Sequence, residues 1–527
     1  MPDASTTRRL GLAAALLVFT VFLSRVLGFV RDAVIAALFG ATGATDAFYA
    51  AFTIPDWLNY VIAGGTLSIT FIPIYTRHLK ADDEAGGNRA LSIIATIMAI
   101  VAILGIVGLE WFTPELTRSF LRRLKPEYVD QAISLTRILL PAQLFFYLGG
   151  LASATLFSRK RFVAAAMAPL LYNLGIIVGG AIFGRRFGIE SLAWGALAGA
   201  IVGPFGVQLV AAWRAGMRYR PSLALGDREF REWLLATIPL MVGFTLVTVD
   251  DWFIRYFAAA NLGAISCLNY ARKLVQVPIA VTSQAVGQAS MPFFAQLWAD
   301  GDKKKLGDLV TTSARASAAI SAVVACALIA LAVPAVDLLF RRGHFAVENV
   351  VPTAEYVMIF AVSIPLWAMQ AILARAFYAT GDTLTPMVAG TLVSVVALPI
   401  YALLWHLLGV VGLVVASDIG IFLHTASLML LLPRRLDTVY RRGIVTGTLR
   451  GYAVGALAAL PAWAASRFMP TGRLHGHLLV LVQLAVGGLI FLSVAALAAR
   501  PLGADDIAGF IEQRLLRRRR PALPSRP

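Results

Sequence analysis

Apolar runs of about 20 residues recur along almost the whole chain, and they constrain its fold more than any other feature. A run of that length crosses the hydrocarbon core of a bilayer as an α-helix. Backbone polar groups inside lipid must hydrogen-bond within the protein, which only helices and closed barrels achieve. The alternating polar and apolar pattern of a membrane barrel is absent from the sequence. The sequence therefore predicts an all-α, polytopic membrane protein.

The composition agrees with this prediction. Of the 527 residues, 59% are hydrophobic and 14% are charged, whereas about a quarter of a soluble domain is charged. The net charge is +17, but the basic residues cluster in short segments between apolar runs, where they set topology and face anionic headgroups. We therefore expect anionic membrane lipids as partners, and no nucleic acid. Cys267 and Cys326 lie in apolar runs and indicate neither a disulfide framework nor a thiolate metal site.

Fourteen membrane helices are predicted. Arg8 and Arg9 precede the first apolar run as in a signal peptide, but the run continues to Arg25 without a cleavage site, so we expect a retained helix. The predicted segments are 10–38, 46–76, 89–111, 132–157, 162–184, 190–213, 232–259, 263–297, 312–340, 353–379, 384–407, 409–432, 447–466 and 476–499. Interruptions within them, typical of transport paths, are expected at Pro55, Gly64-Gly65, Pro141, Pro278 and Pro365.

The distribution of Lys and Arg predicts that both termini lie in the cytoplasm. The two halves carry similar patterns: a segment from Asp46 to Pro73 resembles one from Ile265 to Pro292. The repeats that contain these segments start after an even number of helices, none and six. We therefore expect a parallel repeat of two six-helix lobes, related by a pseudo-two-fold around a central cavity. The predicted lobes are 1–220 and 221–440, followed by two extra helices in 441–500 and a basic cytoplasmic tail in 501–527.

Ionisable residues inside apolar helices are costly to bury and are therefore candidates for function. The first helix contains Ser24, Arg25, Arg31 and Asp32. Arg25 and Asp32 are seven residues apart and share a helical face. Two guanidinium groups facing a wet cavity could bind a phosphate through paired hydrogen bonds. The alternative is an internal Arg–Asp pair that packs the helices together.

The eighth helix carries a polar stripe on one face of an ideal helix. Its members are Asn269, Arg272, Gln276, Ser283 and Gly287. Such a stripe does not face lipid, so it either lines a cavity or forms a polar seam between helices. In the first case Arg25, Arg31 and Arg272, with Lys273 nearby, would form a cationic cage suited to a pyrophosphate.

A third group is acidic. Asp250 and Asp251 lie within the seventh helix, and Ser417 and Asp418 within the twelfth, so these four are candidates to bind a coupled cation or a proton. The alternative is a local pair between Asp251 and Arg255, one helical turn further on. The sequence shows no nucleophile elbow, phosphate loop or metal-ligand cluster. We therefore predict a transporter without catalytic residues, metal or cofactor, driven by a coupled cation or the membrane potential.

Several motifs resemble the MurJ (MviN) lipid II flippases, a family within the multidrug/oligosaccharidyl-lipid/polysaccharide exporter superfamily. The first runs from Ser24 through Arg-Val-Leu-Gly-Phe-Val-Arg to Asp32. The others follow in the order of the family, and the set covers roughly residues 20–420. They are Phe39-Gly40, Asp46-Ala-Phe48, Phe71-Ile-Pro73, Ser266 to Leu274, Leu339 to Phe345, Arg375 to Pro386 and Gly409 to Leu413.

The resemblance implies that the chain translocates lipid II, the lipid-linked peptidoglycan precursor, from the inner to the outer leaflet of the bacterial inner membrane by alternating access. The headgroup would pass through the cavity while a groove formed by the last two helices guides the polyprenyl tail. The family's cavity arginines correspond to Arg25, Arg31 and Arg272, and its partnering acid to Asp32. A monomer is expected, with a role in cell-wall biogenesis and cell shape.

The chain departs from the family pattern at two places. A cavity arginine and a glutamate are missing near Asn59 and Gly64, and the eleventh helix has Ala397 and Tyr401 where some members bind sodium. Sodium coupling is therefore not expected, and the acidic group is the substitute. Three alternative functions remain at this point: a flippase for another undecaprenyl-pyrophosphate-linked oligosaccharide of the O-antigen or capsule type, a drug/cation antiporter of the same superfamily, and a membrane-embedded glycosyltransferase.

Overall fold

The chain folds into helices that divide between two compact units. The computed structural model describes residues 4–63, 70–242, 246–436, 439–468 and 476–514, and these ranges contain no β-strand. Unit 1 comprises Met1–Phe244, Ala258–Ser266 and Arg342–Phe345. Unit 2 comprises Thr245–Phe257, Cys267–Arg341 and Ala346–Pro527.

Unit 1 contains the helices α1 to α11, with a π-helix at Ile201–Val207 that joins α9 to α10. In chain order they are α1 (Ala4–Phe39), α2 (Gly43–Ala51), α3 (Thr53–Ala63), α4 (Ile72–Lys80), α5 (Glu84–Phe120), α6 (Pro126–Leu139), α7 (Ala142–Ser158), α8 (Val163–Phe187), α9 (Glu190–Ala200), α10 (Gln208–Arg214) and α11 (Arg228–Val242).

The helices α12 to α23 follow, and apart from the last residue of α12 and the first three residues of α13 they belong to unit 2. A π-helix at Ala280–Gln284 joins α13 to α14. The helices are α12 (Leu246–Ala258), α13 (Ala264–Ile279), α14 (Ala285–Ala299), α15 (Lys303–Ala330), α16 (Ala332–Phe340), α17 (Val350–Val362), α18 (Ile364–Ala379), α19 (Leu384–Leu408), α20 (Val410–Leu431), α21 (Arg441–Arg467), α22 (Gly476–Ala499) and α23 (Asp505–Arg514).

The prediction of an all-α, multi-pass membrane protein is confirmed. Within the described ranges nine helical segments are long and apolar enough to cross a membrane, or ten when the pair around Ser363, bent by 40°, is included as one span. Each of the fourteen predicted segments overlaps a helix or a pair of helices. The total of fourteen spans, the lobe boundaries and the orientation of the termini stay predictions.

Proline residues mark most of the interruptions, though not always at the expected position. Pro141 separates α6 from α7, and Pro365 follows the bend at Ser363. The break expected at Pro55 lies instead at Phe52, and Pro55 sits in the first turn of α3. A proline is tolerated there because the first backbone N–H groups of a helix have no intrahelical acceptor.

Two further predicted interruptions concern Pro278 and Gly64-Gly65. Pro278 lies inside α13, and the irregular segment is the π-helix that begins two residues later. The Gly64-Gly65 pair lies outside the described residues. The π-helix at Ile201–Val207, which contains Pro204, was not predicted.

Glycine residues bring neighbouring helices into backbone contact within each unit. A Cβ atom at Gly179 of α8 would lie 2.6 Å from the carbonyl oxygen of Ser191 in α9. In unit 2, a Cβ atom at Gly451 of α21 would lie 2.4 Å from the carbonyl oxygen of Ala319 in α15. Because lipid offers no hydrophobic drive between helices, such close packing is a main source of their association. In unit 1 it fixes α8, which also packs against α1.

Candidate functional site

The first candidate site is an ion pair inside α1. Arg31 donates from Nε and Nη2 to Oδ1 of Asp32, at 3.0 and 2.9 Å. The hydroxyl of Tyr49 donates to the same oxygen at 3.4 Å. The Asp32 side chain is completely buried, and that of Arg31 is 18% exposed. A buried carboxylate therefore compensates the charge of Arg31 and holds one side of its guanidinium group.

Asn173 of α8 holds the other side of the same guanidinium group. Its Oδ1 atom accepts from Nη1 of Arg31 at 3.0 Å, while its Nδ2 atom donates to the backbone carbonyl of Pro169 at 2.9 Å. The second bond fixes the orientation of the amide, so that its oxygen points at the arginine. Arg31 is thus preorganised by contacts from two helices of unit 1.

The sequence places Arg25 and Asp32 on one helical face, but the ion pair of Asp32 is with Arg31. Asp32 contacts its neighbour Arg31, so adjacency along the chain, and not the seven-residue spacing to Arg25, accounts for the ion pair. The side chain of Ser24 is half-buried and that of Arg25 is exposed. The roles of Ser24 and Arg25 in substrate binding stay predictions.

The second candidate site surrounds Arg272 in unit 2. Nη1 of Arg272 donates to Oδ1 of Asp251, and Nη2 donates to Oδ2 of Asp250. The aromatic ring of Phe360 lies 5.2 Å from Cζ of Arg272, which adds a cation–π contact. The Arg272 side chain is 16% exposed. Two carboxylates therefore bind the two terminal nitrogens of one guanidinium group.

Asp250 is the centre of this cluster. The hydroxyl of Tyr401 donates to its Oδ1 atom, and the hydroxyl of Ser417 donates to its Oδ2 atom at 3.1 Å. Nη2 of Arg272 also lies 3.5 Å from the Ser417 hydroxyl oxygen. The Asp250 side chain is 10% exposed, whereas that of Asp251 is 42% exposed. Asp250 is thus held from α13, α19 and α20 at once.

The structure corrects the prediction that the acidic residues and Arg272 form separate groups. Asp250, Asp251 and Ser417 were predicted to form an acidic group apart from the cationic Arg272, but the structure joins them in one cluster. Asp251 binds Arg272, a partner that the sequence did not indicate beside Arg255. Asp418 follows Ser417 on α20, and one of its carboxylate oxygens is buried with no hydrogen-bond partner in the part of the chain that the structure describes.

The polar stripe of the eighth predicted helix is not continuous, which is a second correction. The π-helix at 280–284 contains Ser283 and adds about one residue relative to an α-helix, a shift of about 100° in facing. Asn269 and Gln276 share the register of Arg272 and are half-buried. Gly287 has a different environment: a Cβ atom there would lie 2.5 Å from Nη1 of Arg375.

Three residues that complete these sites were missed or misjudged from the sequence. Asn173 and Tyr49 lie in apolar segments with no recognisable spacing to Arg31. Tyr401 was noted only as an aromatic residue in place of a sodium ligand, yet its hydroxyl binds Asp250. Near Pro55, Asn59 donates to Oε1 of Gln143 at 2.8 Å.

Nothing in the described segments gathers three or more His, Cys, Asp or Glu side chains in an arrangement that could hold a metal ion. The carboxylates of Asp250 and Asp251 are instead compensated by Arg272. The cationic cage that would join Arg31 to Arg272 stays a prediction, because the two residues belong to different units.

Comparisons of the sequence with known proteins all identify the same family. The profile of the family described as lipid II flippase MurJ matches residues 35–483. The lipid II flippase MurJ of Burkholderia cenocepacia is 30% identical over 469 residues, which cover 85% of this chain and 89% of that protein. The probable lipid II flippase MurJ of Rhizobium tropici is 26% identical over 517 residues, which cover 95% of each chain.

Solved structures show the same fold. A structure of the lipid II flippase MurJ in an inward closed conformation matches with a TM-score of 0.75 at 19% identity, covering 93% of this chain and 99% of that one. An inward-facing multidrug resistance transporter of the MATE family, from the MOP superfamily, matches with a TM-score of 0.62 at 17% identity, covering 81% and 95%. The helical arrangement is therefore that of this exporter superfamily.

Proposed function

The chain belongs to the lipid II flippase MurJ family, and on that premise we propose that it carries lipid II from the inner to the outer leaflet of the bacterial inner membrane. Transport proceeds by alternating access, with no chemical change in the substrate. The product supplies peptidoglycan synthesis, and thereby cell-wall growth and cell shape. Both termini face the cytoplasm, and the protein acts as a monomer.

The observation that carries this proposal is the pair of oriented arginines in a chain of this family. Arg31 and Arg272 are each mostly buried, and each guanidinium group is held by carboxylate oxygens in a defined direction. Burying charge inside a membrane protein is costly and is typical of a substrate pathway. A guanidinium group offers paired N–H donors that match phosphate oxygens, so these residues suit the pyrophosphate of lipid II.

The remaining predicted residues take supporting positions in this proposal. Ser24 and Arg25 precede Arg31 on α1, and Asn269 and Gln276 flank Arg272 on α13, where they bind the headgroup. The lobes 1–220 and 221–440 carry out the alternating access. Helices α21 and α22, within 441–500, guide the polyprenyl tail, and the basic residues of 501–527 bind anionic lipids.

Lipid II is favoured over the alternative substrates. The curated relatives above are named as lipid II flippases, and the first of them is 30% identical over most of both chains. The likeness to the multidrug transporter is at 17% identity and concerns the fold alone. Asp250 and Asp251, which an organic cation would need, are already bound by Arg272.

Complementation tests the proposal directly. The resident lipid II flippase of a bacterium is depleted while this chain is expressed, and growth and lipid II in the outer leaflet are measured together. We expect rescue by the wild type and loss of rescue by Arg31→Ala and by Arg272→Ala. Arg31→Lys and Arg272→Lys retain the charge but lose the planar fork, and we expect only weak rescue from them.

A matched control is Arg118→Ala, which removes an exposed arginine whose ion pair with Asp130 lies outside both candidate sites. It should rescue like the wild type, because exposed ion pairs contribute little. Membrane levels of every variant are compared by quantitative blotting. Full rescue by both alanine variants, or no rescue by a well-expressed wild type, would refute the proposal.

A further inference from the structure

We propose that Asp251 is an internal stand-in for the substrate's pyrophosphate: its carboxylate occupies Nη1 of Arg272 when no substrate is bound, and the incoming pyrophosphate displaces it. Asp250 keeps its bond to Nη2 throughout and positions the arginine. This inference rests on the proposed function and assigns different roles to two adjacent aspartates.

The guanidinium group of Arg272 is divided between the two acids. Nη2 binds Asp250, and Nη1 binds Asp251. These nitrogens lie at opposite corners of a planar fork, so one contact can be exchanged while the other is kept. A ligand that binds only Nη1 leaves the orientation of Arg272 unchanged.

The two aspartates differ in how firmly they are held. Asp250 is 10% exposed and also accepts hydrogen bonds from Tyr401 and Ser417. Moving it would leave the hydroxyl groups of Tyr401 and Ser417 without this acceptor, which is costly in a buried site. Asp250 is therefore a fixed part of the site.

Asp251 is the exchangeable partner because its side chain is 42% exposed. A carboxylate that is fully buried stays out of water after its ion pair breaks and is then an uncompensated charge, which is costly. The Asp251 carboxylate is partly exposed, so water hydrates it once Arg272 is released. Ion pairs with an exposed partner are also weak, because water screens them. A pyrophosphate offers more charge and more acceptor oxygens than one carboxylate, so it competes effectively for the same nitrogen.

The contact between Asp251 and Arg272 affects the site before substrate binds. With Asp251 in place, both terminal nitrogens of Arg272 have an anionic partner while no substrate is bound. Weaker anions must displace Asp251 before they reach Nη1, so the carboxylate raises the selectivity of the site for strong, multivalent anions. Asp251 is accordingly a specificity-determining residue, and Asp250 is a positioning residue.

Binding of farnesyl pyrophosphate to the purified full-length protein in detergent tests this inference without any transport assay. Isothermal titration calorimetry is used for the wild type, Asp251→Asn and Asp250→Asn. We expect Asp251→Asn to bind about fivefold more tightly, because a competing ion pair of modest strength is removed. Asp250→Asn should bind more weakly than the wild type, because Arg272 loses its fixed partner.

Two further variants separate this effect from a general change in charge or folding. Asp251→Asn combined with Arg272→Ala should show no gain, since the gain acts through Arg272. Asp300→Asn removes an exposed acid in unit 2 and should bind like the wild type. Farnesol, which lacks the pyrophosphate, should bind all variants equally. Asp251→Ser replaces Asp251→Asn if the latter does not purify as a monodisperse protein.

The outcomes distinguish the inference from the proposed function. Unchanged or weaker binding by a folded Asp251→Asn protein, with normal binding by the wild type, overturns the inference alone. A gain that persists without Arg272 also overturns it. If neither the wild type nor Asp251→Asn binds farnesyl pyrophosphate, both the inference and the proposed function fail.

Discussion

The carboxylate of Asp46 on α2 accepts a hydrogen bond from the backbone N–H of Ser266, 220 residues further along the chain, at 2.7 Å. It also accepts from the Ser266 hydroxyl at 2.5 Å and from the N–H of Gly263 at 2.6 Å. The contact lies within unit 1 and satisfies donors at the start of α13. Asp46 and Ser266 belong to the two segments with similar sequence patterns. In the structure these two residues are hydrogen-bonded to each other.

Replacing Asp46 by Asn should destabilise the protein by about 1–3 kcal/mol. The side chain is buried, and the amide has one acceptor oxygen where the carboxylate has two, so a buried donor loses its partner. Thermal unfolding in detergent measures the change. The matched variant Ser266→Ala removes only the hydroxyl donor and should cost less, and an equal loss in both variants would contradict this explanation.

Asn173→Ala should impair transport more than folding. The change removes the hydrogen bond to Nη1 of Arg31 but leaves the ion pair with Asp32, so the guanidinium group remains in place with a less defined orientation. We expect a several-fold loss of complementation efficiency and a small change in melting temperature. Asn173→Asp is the informative companion, because an added carboxylate competes with the substrate and should reduce activity further.

Tyr401→Phe tests the anchoring of Asp250 with the smallest possible change. The aromatic ring and its packing against Phe253 are retained, and only the donated hydroxyl is lost. A stability loss of about 1.5–3 kcal/mol is expected for a removed hydrogen bond to a buried charged group. Complementation should fall as well, because Asp250 positions Arg272. If this variant has the stability and activity of the wild type, the Tyr401 hydroxyl does not anchor Asp250.

We expect His78 to make a pH-dependent contribution to the stability of unit 1. Partial burial lowers its pKa, but hydrogen bonds with Asp83, at 2.8 Å, and with Glu229 outweigh this effect, and the net pKa is raised. The contribution is therefore complete below the pKa of an unfolded histidine, about 6.5, and is lost as pH rises through the higher folded pKa.

The measurement is the melting temperature between pH 5.5 and 8.5, a range chosen to bracket about one unit or more on either side of that reference pKa. The wild type should lose more stability than His78→Gln as the pH rises. Asp83→Asn removes one of the stabilising acids and should reduce the pH dependence without abolishing it. Parallel curves for the wild type and His78→Gln would show that His78 has no such role.

Gly179→Val should disrupt unit 1. The added atoms would collide with the backbone of α9, which a side-chain rotation does not relieve. Separation of α8 from α9 would also move Asn173 away from Arg31, so stability and activity should both fall. Gly108→Ala in α5 is the control, because a Cβ atom there meets nothing within 4 Å. Proteolysis and expression level report the difference.

The sequence predicted the membrane fold because hydropathy and span length are dictated directly by the bilayer. It also placed Arg31, Asp32 and Arg272 correctly as charged residues inside helices. It did not predict which charges pair, because pairing depends on side-chain rotamers and helix packing in the fold and not on spacing along one ideal helix. Arg272 on α13 binds Asp250 and Asp251 on α12, and no local sequence pattern encodes that contact.

The other failures have separate physical origins. Asn173, Tyr49 and Tyr401 are single polar groups in apolar helices, and their importance depends on what faces them. The π-helix at 280–284 interrupts the face that a uniform 3.6-residue period predicts. Pro55 was assigned to a break although a first helical turn accepts proline.

The π-helix between α13 and α14 also determines how this part of the chain tolerates changes in length. A π-turn holds one residue more than the α-helical turn it replaces. Deleting one residue among 280–284 can therefore restore a regular α-helix while Arg272 and Gly287 keep their separate neighbours. The same deletion at Val275 would rotate one side of the helix by about 100° relative to the other. Deletion scanning should thus find a tolerant window only five residues wide, and natural length variation in this helix pair should be concentrated in that window.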